Sequence, residues 1–253
     1  MNKFYLVPSV AGALGKNKWC IDAPIFILKL LKEKSIIFSL HKSDIEEIHK
    51  EIFCAAINIF QESKKNKCIF LGGTHDITFP LFKAFKQKHK SAKLIIFDAH
   101  VDSDEGVSVA THEDFVKALV SQGIIKASDI IIIGVRKIYP SEKRFVKKSG
   151  VVIIGEDDVH DDINAVKNRI ASFIGNGKDL YVSFDVDVLN GGIMQATHYH
   201  PLDGLSKKEF LFLASSLIKK AMAVDVVEFN PAKIKLREDK LLKELFSSFF
   251  RRI

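Results

Sequence analysis

The sequence predicts an α/β protein, a three-layer α/β/α arrangement around a doubly wound, mainly parallel sheet. Three observations carry this. Short β-branched runs alternate with longer amphipathic stretches along the whole chain, the order expected when parallel strands are joined by crossing helices. The runs Leu94-Ile95-Ile96-Phe97 and Ile130 to Ile133 lack polar alternation, so they read as strands covered on both faces. The 253 residues, 47% apolar and 27% charged, suffice for one large core. No linker, repeat or low-complexity stretch divides them, so residues 1–253 are expected to form a single domain.

The first strand is Phe4–Val7. The apolar stretch around it is short, broken by Pro8 and followed by Gly12 and Gly15, so it reads as a strand entering a glycine loop and not as a signal peptide. Helical patterns follow at Ala23–Leu31 and Ser43–Gln61, then a strand at Cys68–Leu71 and a helix at Phe79–His89. Strand Leu94–Phe97, helix Glu113–Ser121 and strands Ile130–Val135 and Val151–Ile154 come next. Helix Asp161–Phe173, strand Leu180–Phe184, helix Lys207–Ala221 and strand Val224–Phe229 complete the alternation. The segment Leu241 to Ile253 is expected to be a last helix, packed on the sheet or against another subunit.

Composition excludes several classes of function. The net charge is +7, but lysines such as Lys83, Lys86, Lys88, Lys90 and Lys93 share one helical stretch and read as a solvated face. No nucleic-acid partner is expected. Cys20, Cys54 and Cys68 are odd in number and lack CxxC spacing, which fits a reducing compartment and neither a disulfide framework nor a thiolate zinc site. No segment offers the roughly 20 apolar residues of a membrane span. The expected location is the cytoplasm, with no membrane partner.

In open parallel sheets, ligands bind beyond the carboxyl ends of the strands. Gly72-Gly73-Thr74-His75-Asp76 follows the strand at Cys68–Leu71, and Asp98-Ala99-His100-Val101-Asp102 follows Leu94–Phe97. Asp185-Val186-Asp187 ends the strand at Leu180–Phe184, and Glu228 lies near the end of Val224–Phe229. Four strands therefore deliver two imidazoles and five carboxylates to one edge. Buried like charges repel unless cations compensate them, and period-two spacing puts 98, 100 and 102 on one side if the segment stays extended. Oxygen-rich donors with some imidazole and no thiolate suit two Mn²⁺ ions better than a structural Zn²⁺. A pair of such ions activates water at neutral pH. Four aspartates cancel two dications, Glu228 then makes the pocket anionic, and Asp76, Asp104 and Glu105 are expected to reinforce this. A cationic substrate fits.

These residues resemble the ureohydrolase family of arginase, agmatinase and relatives, whose signatures are Gly-Gly-Asp-His-Ser, Asp-Ala-His-x-Asp, Ser-x-Asp-x-Asp and Val-Glu-x-Asn-Pro. The counterparts are Gly72 to Asp76, Asp98 to Asp102, Ser183-Phe184-Asp185-Val186-Asp187 and Val227-Glu228-Phe229-Asn230-Pro231. Weaker echoes occur at Gly15 to Pro24 and at Ile133-Gly134-Val135-Arg136. The resemblance implies an arginase-like fold, two Mn²⁺ per chain and a trimeric or hexameric homo-oligomer. It implies that His75, Asp98, Asp102 and Asp185 hold one ion, and that His100, Asp98, Asp185 and Asp187 hold the second. It also implies that Glu228 pairs with a guanidinium, that Asp187 stabilises the tetrahedral intermediate, and that His112 shuttles protons. The implied activity is hydrolysis of a small guanidino substrate to urea and an amine.

The departures fall around the pocket. Thr74 and Asp76 replace the Asp and Ser around the first histidine, and Glu113 follows His112 where the family has Gly. The family's Thr-Gly-Thr-Pro loop is replaced by Ala196-Thr197-His198-Tyr199-His200-Pro201. Tyr199 thus falls where a guanidinium-contacting Thr is expected, and His198 and His200 are either pocket or surface residues. Ser103 to Thr111 lacks the Asn/Thr/Ser-rich stretch with which arginases read an α-carboxylate. Agmatine or a similar amine-tailed guanidine is therefore the expected substrate. The alternatives are arginase or guanidino-acid hydrolase activity, and a non-catalytic metal-binding relative with a remodelled pocket.

Overall fold

Among the described residues, eight strands, all paired in parallel, form a single sheet in the order β2-β1-β3-β8-β7-β4-β5-β6. The structure, a computed structural model, describes residues 2–63, 66–105, 109–177, 179–198, 202–234 and 244–247. The strands are β1 (Asn2–Val7), β2 (Ser35–Ile37), β3 (Lys67–Gly72), β4 (Lys93–Phe97), β5 (Ile130–Val135), β6 (Val152–Gly155), β7 (Leu180–Asp185) and β8 (Ala223–Val227). The helices are α1 (Ala23–Leu31), α2 (Ile45–Glu62), α3 (Thr78–Lys88), α4 (Phe115–Ser121), α5 (Pro140–Ser149), α6 (Glu156–Asp161), α7 (Ile163–Ile174) and α8 (Lys207–Lys220).

The expected three-layer class is what the chain adopts. Alternate side chains of each central strand enter opposite layers. Phe97, Ile133, Val182 and Phe184 pack with Ile27, Ile170 and Leu213 of α1, α7 and α8. Leu94, Ile96, Ile132 and Tyr181 pack with Ile52, Phe82 and Leu119 of α2, α3 and α4 on the other face. Residues of both sets are almost wholly buried, which is why the strand sequences show no polar alternation. Phe97 and Phe184, directly opposite in the β4–β7 register, stack at 4.9 Å with Phe210 of α8 edge-on to both.

Three elements were not legible in the sequence. β2 is a three-residue edge strand with Ile36 and Ile37 largely exposed, so no buried run announces it. α5 is short and mostly polar; its signals are Pro140 in the first turn and Glu142 three positions after Tyr139. α6 is a six-residue helix between β6 and α7. β8 ends at Val227, short of the expected Phe229, because Glu228 turns into the left-handed region at φ +62°. Of the expected C-terminal helix, residues 244–247 are helical, with Leu245 and Phe246 buried and Phe246 edge-on to Phe229. The rest lies outside the described residues.

The strands that carry the motifs, β3, β8, β7 and β4, are consecutive neighbours in the sheet. Because they run parallel, their carboxyl ends and the residues after them face one edge.

Candidate metal and active site

Each motif reaches this edge through its own local device. After β3, Gly73 lets the backbone run against the β1 loop, where Thr74 N–H donates to the Ser9 carbonyl at 3.1 Å; a Cβ at Gly73 would collide with that same oxygen. The Gly73 carbonyl in turn accepts from Glu228 N–H at 2.8 Å, tying the His75 and Glu228 segments together. After β4 and at the end of β7 the same turn occurs twice. Asp98 Oδ1 accepts from His100 N–H at 2.7 Å, and Asp185 Oδ1 accepts from Asp187 N–H at 2.8 Å. These turns bring i and i+2 side chains together without an extended backbone. Asp98, His100 and Asp102 therefore do converge, but by a turn: β4 ends at Phe97, and Asp102 sits at φ +51°. Left-handed backbone at two carboxylates, Asp102 and Glu228, stores strain of about 1–3 kcal/mol each, of the kind seen at functional sites.

The six expected ligands come together. His75 Nδ1 lies 3.0 Å from Asp98 Oδ2, 3.2 Å from Asp102 Oδ2 and 3.4 Å from Asp185 Oδ2. His100 Nδ1 lies 3.0 Å from Asp187 Oδ2 and 3.5 Å from Asp98 Oδ1. Among the described residues, two groups have ligand atoms within 4.8 Å of one another: His75, Asp98 and Asp185, and Asp98, His100 and Asp187. Asp98 belongs to both. Asp185 belongs to the first group only.

The surroundings of His75 show what this cluster lacks as bare protein. Its Nε2 stands 2.9 Å from Ser183 Oγ. Ser183 spends its hydroxyl hydrogen on Asp225 at 2.5 Å, and Asp225 also accepts from Tyr181 at 2.8 Å and Thr78 at 3.0 Å. Nε2 must then carry the proton and donate to Ser183, leaving the Nδ1 lone pair turned toward three carboxylates. Nδ1 is buried and makes no hydrogen bond. A lone pair facing three carboxylates calls for a cation between them, and carboxylates with imidazole are donors that fit a divalent metal ion.

The titration of the cluster says the same. Burial opposes charge on His75, but Asp102, Asp185 and Asp98 outweigh it and raise its pKa well above the usual imidazole value. His100 is raised likewise against burial, chiefly by Asp187. Burial and the neighbouring Asp98 push Asp102 up to about 8. Asp185 is also raised, by burial and then by Asp187 and Asp98. Asp98 is lowered: the His100 and His75 imidazoles hold it ionised against burial.

Beyond the cluster opens a cavity of about 400 Å³, lined by His100, Asp102, Asp185, Asp187, His112, Thr197, His198 and Glu228 together with Lys16, Asp104, Glu113, Tyr139 and Glu142. Its size is that of a small-molecule site. Glu228 is 5% exposed. Burial favours its neutral form, yet His112, Asn17 and the His75 N–H outweigh this and hold its carboxyl below the usual range. His112 Nδ1 lies 3.4 Å from Glu228 Oε1, while its Nε2 is buried without a partner. Its pKa is raised because Glu228 outweighs burial. His198 lines the cavity with an exposed side chain. Tyr199 and His200 lie outside the described residues.

The expected reinforcement of the pocket by Asp76 does not occur. Asp76 turns away into the α2–α3 layer, bonded to His49 at 3.0 Å and Thr74 at 2.6 Å. Asp104 lines the cavity and Glu105 does not. Sequence reasoning missed Asn17, which donates to Glu228, and the Ser183–Asp225 relay. It also missed Arg136, whose guanidinium donates to the Asp187 carbonyl at 2.7 Å and the Asp203 carbonyl at 3.2 Å. The available signals were the Gly134-Val135-Arg136 echo for Arg136 and the Gly15 to Pro24 echo for Asn17.

Comparison with known proteins places this geometry. The model of the arginase family matches residues 22–247. The agmatinase of Neisseria meningitidis serogroup A / serotype 4A is 28% identical over 171 residues, 67% of this chain and 54% of that protein. The mitochondrial arginase of Medicago truncatula is 27% identical over 218 residues, 81% of this chain and 63% of that protein. The chain thus spans about half the length of the agmatinases it matches. Among solved structures, formimidoylglutamase from Bacillus subtilis superposes with a TM-score of 0.88 at 19% identity, over 100% of this chain and 87% of that one. Arginase from Entamoeba histolytica gives 0.85 at 20% identity, over 98% of each chain. The fold is shared with both, and with a family model matched over most of its length the chain belongs to the arginase family.

Proposed function

We propose that this protein is a manganese-dependent hydrolase that cleaves the C–N bond of a guanidino group in a small cationic compound, adding water to give urea and an amine. Agmatine is the leading substrate. The observation that carries this reading is the Nδ1 of His75, oriented by Ser183 and facing three carboxylates at 3.0–3.4 Å, beside a cavity that the Glu228 carboxylate also lines. The 28% identity to agmatinases supports the substrate class.

In this reading His75, Asp98, Asp102 and Asp185 would hold one divalent ion, and His100, Asp98, Asp185 and Asp187 the second. Ions bound there supply Lewis acidity and make water a competent nucleophile at neutral pH. The protein's own groups do the rest. Glu228, held ionised, pairs with the planar guanidinium and sets its carbon toward the cluster. Asp187 accepts hydrogen bonds from the amino groups of the tetrahedral carbon as they pyramidalise. His112, which lines the pocket beside Glu228, moves a proton to the departing amine. The cavity lining adds Asp104, Glu113 and Glu142 against Lys16, so it favours an amine tail over a carboxylate.

The test is urea release from Mn²⁺-loaded protein over agmatine, arginine, guanidinobutyrate, guanidinopropionate and guanidine, with Asp185→Asn as the blank. Urea from agmatine is the expected result. Two bound metals with no urea from any compound would remove the guanidino reading and leave a metal-binding relative with a remodelled pocket.

A further inference from the structure

Asn17 is almost wholly buried, at 1% exposure, in the irregular segment between β1 and α1. It occupies the position before a short 3₁₀ turn, Lys18–Asp22, where an Asn side chain ordinarily caps the turn's free N–H groups. Here it makes no such bond. Its side chain reaches instead across 211 residues of sequence, donating from Nδ2 to Glu228 Oε2 at 2.7 Å and, at the longer distance of 3.4 Å, to the Glu228 backbone carbonyl. The amide is itself aimed: Asn17 Oδ1 accepts from Asn230 Nδ2 at 2.8 Å, so the NH₂ group must face Glu228. Asn230 is pinned in turn by its N–H to the Ala196 carbonyl at 2.7 Å.

Glu228 needs such a partner. Its backbone is left-handed and its carboxylate is buried. Oε1 accepts from His75 N–H at 2.8 Å and has His112 Nδ1 at 3.4 Å, so both of these partners hold the same oxygen and neither holds Oε2. The bond from Asn17 to Oε2 fixes the second oxygen and hence the plane. A planar cation with parallel N–H donors reads that plane, whereas a spherical cation does not.

We propose that Asn17 is a positioning residue, which sets the plane of the Glu228 carboxylate for an incoming guanidinium and acts only through that carboxylate. The inference rests on the guanidino reading above. It makes the segment before α1, and not only the ends of the four strands, part of the binding machinery.

The test is a double-mutant cycle on the full, Mn²⁺-loaded chain, with guanidinium ion as the probe, titrated calorimetrically at constant ionic strength. Asn17→Ala and Glu228→Gln should each weaken binding by about 10- to 100-fold, as expected for loss of a hydrogen bond to a buried charge. The double variant should bind no more weakly than Glu228→Gln alone, and Mn²⁺ content should be unchanged throughout. Asn17→Asp guards against a collapsed segment: it keeps the size and the acceptor for Asn230 but removes the donor to Glu228. Emission from Trp19, the one tryptophan of the chain and two residues away, reports whether the segment stays folded. In Asn17→Asp, weaker binding with unchanged Trp19 emission supports the proposal. Wild-type affinity in either Asn17 variant, or losses that multiply in the double variant, would overturn it while leaving the guanidino reading intact. Wild-type protein that binds no guanidinium would remove both.

Discussion

Ser183 Oγ stands 2.9 Å from His75 Nε2 and passes its own hydrogen to Asp225, so a residue on β7 decides which nitrogen of a histidine after β3 is free. Ser183→Ala removes that decision. Asp225 keeps Tyr181 and Thr78 as donors, and the fold should survive. Manganese affinity should fall by about 10- to 100-fold, the usual cost of losing such a supporting bond. A Mn²⁺ titration that matches wild type would take Ser183 out of this role.

Asp185 lies 3.4 Å from His75 and accepts a hydrogen bond from the Asp187 backbone N–H. Asp185→Asn keeps the shape and removes a charge. Loss of at least one of two metals is expected, with activity abolished; metal analysis beside the urea assay reads both. Full activity would remove Asp185 from the ligand set.

Protein stripped of metal should become less stable as pH rises from about 4 to 8, the range between ordinary carboxylates and the raised Asp102. The sign follows from the direction of the shifts. Asp102, Asp185, His75 and His100 all have raised pKa values. The folded chain then holds more protons than the unfolded one across this window, so raising the pH favours unfolding. Asp98 and Glu228 are lowered; their contribution is lost only as pH falls below the ordinary carboxylate range. Manganese should flatten the dependence by taking the place of those protons. Thermal melts at several pH values, with and without Mn²⁺, check it, and a stripped protein that gains stability toward pH 8 would contradict the cluster's electrostatics.

Phe184 precedes Asp185 and stacks on Phe97 with Phe210 edge-on. Phe184→Ala empties this part of the layer between the sheet and α8. A loss of about 3–5 kcal/mol is expected, the range for buried aromatic truncation, with a urea midpoint displaced accordingly. A loss under about 1 kcal/mol would mean that the neighbours close the gap.

How much of this was readable beforehand follows from the kind of interaction involved. Central strands such as Ile130–Ile133 are buried on both faces, so burial is written into consecutive residues and needs no partner to be recognised. β2 and α5 carry little buried area, and their formation depends on neighbours already being in place. Likewise, His75, Asp98, His100, Asp102, Asp185, Asp187 and Glu228 are chemically conspicuous at strand ends, and parallel topology sends them to one edge. Their gathering was therefore legible from order and residue type alone. The means was not: Asp102 and Glu228 adopt left-handed backbone that neither residue type prefers, and only surrounding contacts hold them there. Asn17, Ser183, Asp225 and Arg136 belong to the same class. Each is an ordinary polar residue whose role is created by a partner between 42 and 211 positions away. Local sequence encodes which faces are buried and which groups bear charge. Which nitrogen is free, which way a carboxylate is turned and which asparagine holds it are set by distances that exist only once the chain has folded.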